Sequence, residues 1–242
     1  MNLKGKTALI TGAGRGIGRA AALRLADEDV RLMLAARTEE QLQNVCEEAA
    51  QKGADAAYLK TDAANPADLD ALVQTALKTY GRVDILINNA GVAIHHPIHE
   101  LPQEVWDLTM AVNVRAPYLL TKALWNQMAE NGGGRIINIS SVAGKRAAAS
   151  NPAYAASKFA LCGLTESLSQ AGVKQNILAC AVCPGPVATV MRAGNNPEED
   201  PATILTPEDI AETIAFLLKM PPRVLIREAV IELNPSGVLR DF

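Results

Sequence analysis

Short apolar runs of strand length alternate with amphipathic segments along most of the chain. The apolar runs cover 7–10, 32–35, 56–60, 83–87, 135–140, 177–183 and 229–233. The segments between them repeat apolar residues at helical spacing, and they cover 17–27, 38–49, 66–80 and, less sharply bounded, 102–130, 152–170 and 207–219. The pattern predicts seven strands that alternate with six helices.

Start and stop signals support two of these helices. Thr38-Glu-Glu-Gln41 has the spacing of a capping box, and Gly53 follows where a left-handed residue is needed to end the helix. Asn65 followed by Pro66 is typical of a helix start, and Gly81 is placed to end that helix.

Strands that are apolar on both faces and separated by helices are typical of a parallel sheet covered on both sides. No linker divides the chain, so we expect one doubly wound (Rossmann) α/β domain over residues 1–242, with a seven-stranded parallel sheet. Segment 184–206 lacks strong periodicity, and its Gly, Asn, Pro and acidic residues favour a substrate lid near 187–206. Ligands of such sheets bind at the carboxyl ends of the strands.

Composition excludes several classes of protein. With 49% hydrophobic and 20% charged residues in 242, the chain is not disordered, collagenous or a coiled coil. A net charge of -3 without a basic block argues against nucleic-acid partners. The short apolar run near the start leads us to expect no export signal, and prolines break the longest uncharged stretch, so we expect a soluble cytoplasmic protein without membrane contact.

Cysteines and histidines offer little for metal chemistry. Four scattered cysteines suit a reducing compartment, and the Cys180/Cys183 pair lies in an apolar run that favours a buried strand over a redox or zinc site. His95, His96 and His99, with Pro97 among them, are interpreted as loop residues that line the cleft. We expect no metal.

A glycine cluster follows the first strand and precedes the first helix. Its pattern is Gly12-x-x-x-Gly16-x-Gly18, with Ile17 at the position where the G-x-G-x-x-G fingerprint would require glycine. Such a turn lets the backbone approach a pyrophosphate, which the helix N-terminus then binds. The cluster therefore predicts a dinucleotide site.

The second strand ends in Ala35-Ala36-Arg37. An acid here would bind a free ribose 2′-hydroxyl, whereas an arginine favours the 2′-phosphate of NADP. Arg15 offers a second cation, although both arginines are also consistent with solvated surface charges. Asp62, beyond the third strand, is placed to accept from the adenine amine.

Tyr154 and Lys158 lie four residues apart, hence on one helix face. A unit charge about 5 Å away at an effective dielectric of about 20 supplies roughly 3 kcal/mol, so we expect the lysine to lower the tyrosine pKa. Tyr118 and Lys122 share this spacing. They lack the hydroxyl that Ser141 offers thirteen residues before Tyr154, at the end of a predicted strand, where it would polarise a carbonyl.

Ser140 is the competing hydroxyl, and since strand neighbours face opposite ways, only one of the two serines reaches the cleft.

The chain resembles the short-chain dehydrogenase/reductase family over essentially its whole length. The resemblance rests on the turn Thr11 to Gly18, on Asn88-Asn89-Ala90-Gly91, on Asn113, Ser141, Tyr154 and Lys158, and on Pro184-Gly185. It implies that Asn113, Ser141, Tyr154 and Lys158 are catalytic. It also implies that the cofactor binds Ile17, Asn89, Ala90, Gly91, Tyr154, Lys158, Pro184, Gly185, Val187 and Thr189.

The resemblance implies a role for each catalytic residue. Tyr154 would be the general acid/base, Ser141 would bond the carbonyl, Lys158 would hold the nicotinamide ribose, and Asn113 would order a water. The expected reaction interconverts a carbonyl and a secondary alcohol of a small molecule with NADP(H). Similar chains pair through the helices near 102–130 and 152–170, which here are apolar on more than one face, so we expect a homotetramer, with a dimer as alternative.

The substrate and one rival function stay open. Similar chains include 3-oxoacyl carrier-protein reductases, but those commonly end in Val-Asp-Gly-Gly, and this chain instead reads Ile-Glu-Leu-Asn-Pro-Ser-Gly over 231–237. Lys145 and Arg146, just beyond Ser141, are placed to attract an anionic substrate, but the interpretation as solvated charges is favoured. The acidic run 198–200 is interpreted as a solubilising stretch of the lid. A regulatory protein that binds NADP without turnover is the alternative from another class.

Overall fold

A computed structural model describes residues 2–234, and it contains one seven-stranded, fully parallel sheet. The strands are β1 (Thr7–Thr11), β2 (Arg31–Ala36), β3 (Ala56–Lys60), β4 (Ile85–Asn88), β5 (Gly134–Ile139), β6 (Ile177–Pro184) and β7 (Glu228–Ile231). Their order across the sheet is β3-β2-β1-β4-β5-β6-β7. The order reverses direction between β1 and β4, which places a ligand crevice at that switch point.

Helices cover both faces of the sheet. They are α1 (Gly16–Ala26), α2 (Glu39–Gln51), α3 (Pro66–Tyr80), α4 (Gln103–Met110), α5 (Ala116–Glu130), α6 (Pro152–Ala171), α7 (Val190–Asn195) and α8 (Pro207–Lys219). The predicted doubly wound α/β fold is confirmed. No helix among residues 2–234 is both long enough and apolar enough to span a bilayer.

The core is split by the sheet into two layers. Ile10 of β1 packs on the side of α1, α2 and α8, while Leu9 faces the side of α3 and α5. The alternation follows from the two-residue period of a strand, and both residues are fully buried. Apolar residues at every strand position are therefore needed, as the unbroken runs in the sequence indicate.

Several predicted boundaries are wrong by a few residues. Strand β4 begins at Ile85 rather than at 83, β5 ends before Ser140, and β7 covers Glu228–Ile231 rather than 229–233. The predicted helix at 102–130 is two α-helices joined by a π-helical turn, Ala111–Arg115. A short helix, α7, also lies in the segment predicted as a lid.

The predicted capping box at Thr38 is also wrong. Thr38 occupies the N-cap position of α2, but its side chain makes no capping hydrogen bond. Gln41 instead packs beside Gly14, where a Cβ built on the glycine would lie 3.0 Å from the Gln41 side chain. A complete capping box is found at Thr206 and Asp209, at the start of α8. Asn65 and Gly81 cap α3 as expected.

Candidate active site

A cleft of about 630 Å³ opens along the carboxyl ends of the strands, across the β1/β4 switch point. This volume is in the range of small-molecule and cofactor sites. Of the residues singled out in the sequence, it is lined by Gly12, Arg15, Gly16, Ile17, Arg37, Asp62, Asn89, Ala90, Gly91, Ser141, Tyr154, Lys158, Pro184, Gly185, Val187 and Thr189. Two expected site residues, Gly18 and Asn113, are not among its lining residues.

The glycine turn between β1 and α1 forms one end of the cleft. Gly12 and Gly16 have φ of 64° and 55°, in the left-handed region that favours glycine. Gly18 is buried behind the turn, and a Cβ on it would lie 2.3 Å from the Gly12 carbonyl oxygen. Gly18 thus permits close packing of the turn rather than ligand contact, because the space is filled by backbone.

Thr11 and Asn89 hold this turn against the end of β4. The Thr11 hydroxyl accepts from the backbone N–H groups of Asn89 and Ala90 at 3.1 and 3.0 Å. The Asn89 amide donates back to the carbonyls of Thr11 and Gly12 at 3.0 and 3.1 Å. These reciprocal bonds fix the shape of the turn across two neighbouring strands.

The far end of the cleft carries two arginines. Arg15 lies in the glycine turn and Arg37 follows β2, and both side chains are exposed to solvent while lining the cleft. Asp62, after β3, lines the same end, but one of its carboxylate oxygens already accepts from the Ala64 N–H at 2.9 Å. Arg15 and Arg37 thus bring positive charge to this end of the cleft, and residues 35–37 include no acid.

The two serines after β5 face different surroundings. The Ser140 hydroxyl is buried and donates to the Lys158 carbonyl at 3.1 Å. The Ser141 hydroxyl faces the cleft, where it accepts from the Ala143 N–H at 3.1 Å and donates to the Pro184 carbonyl at 3.5 Å. Because the 3.5 Å bond to the Pro184 carbonyl is long and weak, the Ser141 hydroxyl can give it up for an oxygen atom in the cleft.

Tyr154 and Lys158 project from one face of α6 into the cleft, with the Lys158 ammonium 5.5 Å from the tyrosine ring centre. Lys158 is buried and donates to the Ile139 carbonyl at 2.8 Å. Burial lowers the pKa of Lys158 to about 8. The expected lowering of the Tyr154 pKa is wrong for the cofactor-free chain, since burial raises that pKa and the Ser141 hydroxyl opposes the rise.

Asn113 lies in the π-helical turn between α4 and α5 and is buried. Its amide nitrogen donates to the Val92 carbonyl and to the Ser157 hydroxyl, both at 2.9 Å. Its amide oxygen accepts from the Val92 N–H at 2.9 Å. Both amide hydrogens are used, so this side chain anchors the loop after β4 to α6.

The segment expected as a lid forms one wall of the cleft. Its base is closed by the pairing of Val187 with Leu205, and its Thr189 side chain lies 3.2 Å from a Cβ built on Gly16. Arg192, in α7, also lines the cleft and makes two 2.6 Å bonds with the Glu199 carboxylate. The acidic run is therefore more than a solubilising stretch, because Glu199 neutralises a cleft arginine.

Polar groups that have no partner mark the remaining part of the cleft. Asn151 Oδ1 and Asn196 Nδ2 are buried and make no hydrogen bond within the part of the chain that the structure describes. Both residues line the cleft beside His95, whereas His96 and His99 are not lining residues, contrary to expectation. Burial and the charge of Arg192 lower the pKa of His95.

The structure adds cleft residues that the sequence reasoning missed, among them Gly14, Gln41, Val92, Asn151 and Asn196. Gly14 could have been predicted as a site residue because it lies within the glycine cluster. The two asparagines reach the cleft only through the folding of distant loops. Lys145 and Arg146 form ion pairs with Glu228 and Glu232 and do not line the cleft.

Known proteins resemble this chain over most of its length. The sequence profile of the family described as short chain dehydrogenase matches residues 6–200. An uncharacterised oxidoreductase of Thermotoga maritima is 41% identical over 204 residues, which are 82% of this chain and 80% of that protein. A metagenomic short-chain oxidoreductase solved in complex with NADP has a TM-score of 0.84 and 35% identity, covering 96% of this chain and 98% of its own. An alcohol dehydrogenase of Thermococcus sibiricus, solved with 5-hydroxy-NADP, has a TM-score of 0.87 and 27% identity, covering 94% and 96%.

Proposed function

The chain belongs to the short-chain dehydrogenase family, and on that premise we propose that it is an NADP(H)-dependent oxidoreductase that interconverts a carbonyl and a secondary alcohol. The observation that carries the proposal is the meeting of Ser141, Tyr154 and Lys158 in the same cleft as the glycine turn. An acid/base group, a hydroxyl donor and a phosphate-binding turn in one cleft are what hydride exchange with a carbonyl requires.

The cleft residues fit NADP(H) in three respects. Gly12 and Gly16 leave the turn without side chains where a pyrophosphate would approach. Arg15 and Arg37 offer cations to a 2′-phosphate, and the adjacent Ala35-Ala36 brings no carboxylate to repel it. Relatives solved with NADP or its derivative support the same choice. When bound, the nicotinamide supplies the hydride.

Tyr154 provides the proton in our proposal. In the direction of reduction, its phenol donates to the carbonyl oxygen, and the resulting phenolate is stabilised by the Lys158 ammonium. Because burial raises the Tyr154 pKa, the phenol stays protonated near neutral pH and is ready to donate. Asn113 is a positioning residue, since it holds Val92 and Ser157 beside these groups.

Ser141 orients the carbonyl. Its oxygen accepts from the Ala143 N–H, and its hydrogen exchanges the long 3.5 Å bond to the Pro184 carbonyl for a bond to the substrate carbonyl. A hydrogen bond to the carbonyl oxygen strengthens as negative charge develops there, which lowers the barrier to hydride transfer. Ser140 is excluded from this role because its hydroxyl is buried against the Lys158 carbonyl.

We assign an uncharged substrate with a second polar group. Arg192 is neutralised by Glu199, so residues 2–234 bring no free cation to this part of the cleft to attract an acid. Asn151 Oδ1 and Asn196 Nδ2 lie buried in the cleft wall, and leaving such groups unpaired costs about 1–3 kcal/mol each. A substrate hydroxyl would donate to Asn151 Oδ1 or accept from Asn196 Nδ2, whereas a second carbonyl would only accept from Asn196 Nδ2.

Replacing Tyr154 by phenylalanine tests the reaction. Tyr154→Phe should lower kcat for NADPH-dependent carbonyl reduction by at least about 10³, because it removes both the proton and a bond to the carbonyl. NADPH affinity, measured by fluorescence titration, should change little. Tyr118→Phe is the matched control, since Lys122 lies 6.0 Å from the Tyr118 ring outside the cleft, and its turnover should stay within about threefold. Equal losses in both variants would contradict the role of Tyr154.

A substrate panel tests the class. NADPH consumption is measured with pairs of small ketones that differ only in a hydroxyl or second carbonyl, and with keto acids and 3-oxoacyl thioesters. We expect the polar, uncharged ketones to react best and Asn151→Ala to reduce that preference. Stoichiometric NADPH binding without turnover on any carbonyl would favour the regulatory alternative.

A further inference from the structure

Two cysteines face each other behind the catalytic residues. Cys162 lies one helical turn after Lys158 on α6, and Cys183 lies near the end of β6. Their sulfurs are 3.7 Å apart, and the structure describes no disulfide between them. A disulfide bond length is about 2.05 Å, so the two sulfurs would have to approach by a further 1.6 Å or so. The proposed carbonyl chemistry uses neither thiol.

The surroundings of this pair differ from those of the other two cysteines. Cys162 is partly exposed, contacts the Ser140 hydroxyl at 3.2 Å, and lies near the Lys145 ammonium. The hydrogen bond with the Cys183 thiol is the main cause that lowers the Cys162 pKa, burial opposes it, and Ser140 and Lys145 lower the pKa further. Burial instead raises the pKa of Cys46 to about 11 and that of Cys180 to about 12. Only the facing pair combines a stabilised thiolate with a second sulfur in reach among the described cysteines.

We infer that Cys162 and Cys183 form a peroxide-sensitive dithiol whose oxidation to a disulfide lowers the activity of the enzyme. The Cys162 thiolate attacks one oxygen of a hydroperoxide, forming a sulfenic acid and releasing hydroxide or alkoxide. The Cys183 sulfur then attacks the sulfenic sulfur, the S–S bond forms, and the oxygen leaves as water. Two thiols lose two electrons in total, and the peroxide gains them. A dithiol reductant reverses the step.

Ser140 connects the pair to the catalytic residues. Its hydroxyl has one hydrogen and two neighbouring acceptors, the Lys158 carbonyl at 3.1 Å and the Cys162 sulfur at 3.2 Å. A disulfide pulls Cys162 toward β6 and away from this hydroxyl, and it shifts the turn of α6 that carries Lys158. Displacement of a catalytic group by about 1 Å is enough to cost up to about 10²-fold in rate.

A divalent cation is the competing occupant of this cluster. The Glu228 carboxylate lies within 4.8 Å of both sulfurs, which gives three potential donor atoms. However, Lys145 forms an ion pair with Glu228 at the same place. Its positive charge stabilises a thiolate and repels a second cation, so the cluster favours thiol chemistry over metal binding.

The test uses the full chain with Cys46→Ala and Cys180→Ala, which leaves only the facing pair. Trypsin then separates Cys162 and Cys183, because cleavage after Lys158, Lys174 and Arg192 puts them in different peptides. After hydrogen peroxide treatment we expect a linked peptide that is lighter than the two by two hydrogen atoms, and that dithiothreitol removes. The Cys183→Ser variant should give no link and should accumulate over-oxidised Cys162 instead.

Activity is the second readout, and it rests on the proposed function. Peroxide should lower NADPH-dependent turnover by at least about 10-fold, reversibly by dithiothreitol, in the wild type but not in Cys183→Ser before over-oxidation sets in. The linked peptide is measured without substrate, so its detection supports the dithiol even if the protein reduces no carbonyl. Three results would overturn the inference. The first is that no linked peptide forms in the folded protein, and the second is that the link forms in an active enzyme without loss of turnover. The third is that the pair retains stoichiometric zinc after dialysis.

Discussion

Arg37 gives the cofactor end of the cleft its charge, together with Arg15. A cation that bonds the 2′-phosphate should contribute about 1.5–3 kcal/mol, so kcat/KM with NADPH should exceed that with NADH by about 10- to 150-fold. Arg37→Ala should narrow this ratio, chiefly through the KM for NADPH. Arg146→Ala is the control, because Arg146 is an exposed arginine outside the cleft that pairs with Glu232. Equal use of both cofactors by the unchanged enzyme would contradict the assignment.

Lys158 sets the expected pH dependence of reduction. Its pKa is lowered to about 8 by burial, so the ammonium is charged below that pH and neutral above it. Tyr154, whose pKa is raised, remains protonated over this range. The kcat/KM for carbonyl reduction should therefore stay level up to about pH 8 and then fall by about tenfold per unit.

The second Tyr–Lys pair, Tyr118 and Lys122, provides a matched control for the pH profile. Lys158→Met should abolish the descending limb together with most of the activity, whereas Lys122→Met should leave the profile unchanged because Lys122 lies outside the cleft. A level profile to pH 10 in the wild type would rule out Lys158 as the titrating group.

At the scale of helices, two N-caps form a natural comparison. Helices α2 and α8 each have 13 residues and a threonine at the N-cap, but only Thr206 makes the reciprocal bonds of a capping box. Thr206→Ala should cost about 1 kcal/mol of unfolding free energy, or about 2–4 °C in Tm for a chain of this size. Thr38→Ala should change Tm by much less. Thermal unfolding of both at one protein concentration checks this, and equal shifts would mean that the Thr206 bonds contribute nothing.

Element types could be predicted from the sequence because periodicity is a local property. The apolar runs, Asn65, Gly81 and the glycine turn all report on neighbouring residues, and the structure places these elements as expected. The Thr38 box failed because Gln41 packs against Gly14 instead of closing the cap. A competing tertiary contact of this kind leaves no trace in the local pattern.

The part of the candidate site that lies within a single segment could be predicted from the sequence. Tyr154 and Lys158 lie on one helix face, so their spacing alone brings them together. By contrast, the raised pKa of Tyr154 depends on burial by other segments, and the meeting of Cys162 with Cys183 depends on how α6 packs on β6. Such long-range properties follow from the packing of the sheet and helices rather than from any window of sequence.

At the scale of the whole molecule, two groups of exposed large apolar side chains lie on packed elements of the fold, one on α4, α5 and α6 and one on α8 and β7. Trp106, Tyr118 and Phe159 are exposed on α4, α5 and α6. Phe216 on α8 and Val230 on β7 are 56% and 50% exposed. Strand β7 is also the last strand of the sheet, so one of its edges has no neighbouring strand in the described chain. Edges and apolar patches of this kind are commonly covered by a partner.

Two distinct surfaces are what a tetramer needs, because dihedral symmetry uses two different two-fold interfaces. We predict a homotetramer of about four times 25.6 kDa by light scattering at micromolar concentration. Phe159→Glu should leave dimers held through α8 and β7, and Phe216→Glu should leave dimers held through α6, since each buries a charge at one interface only. The double variant should be a monomer, while Val173→Glu, at an exposed residue beyond the end of α6, should remain tetrameric. A single species of 25.6 kDa for the unchanged chain would reject the prediction, and a dimer that only one of the two glutamate variants dissociates would identify the interface that is used.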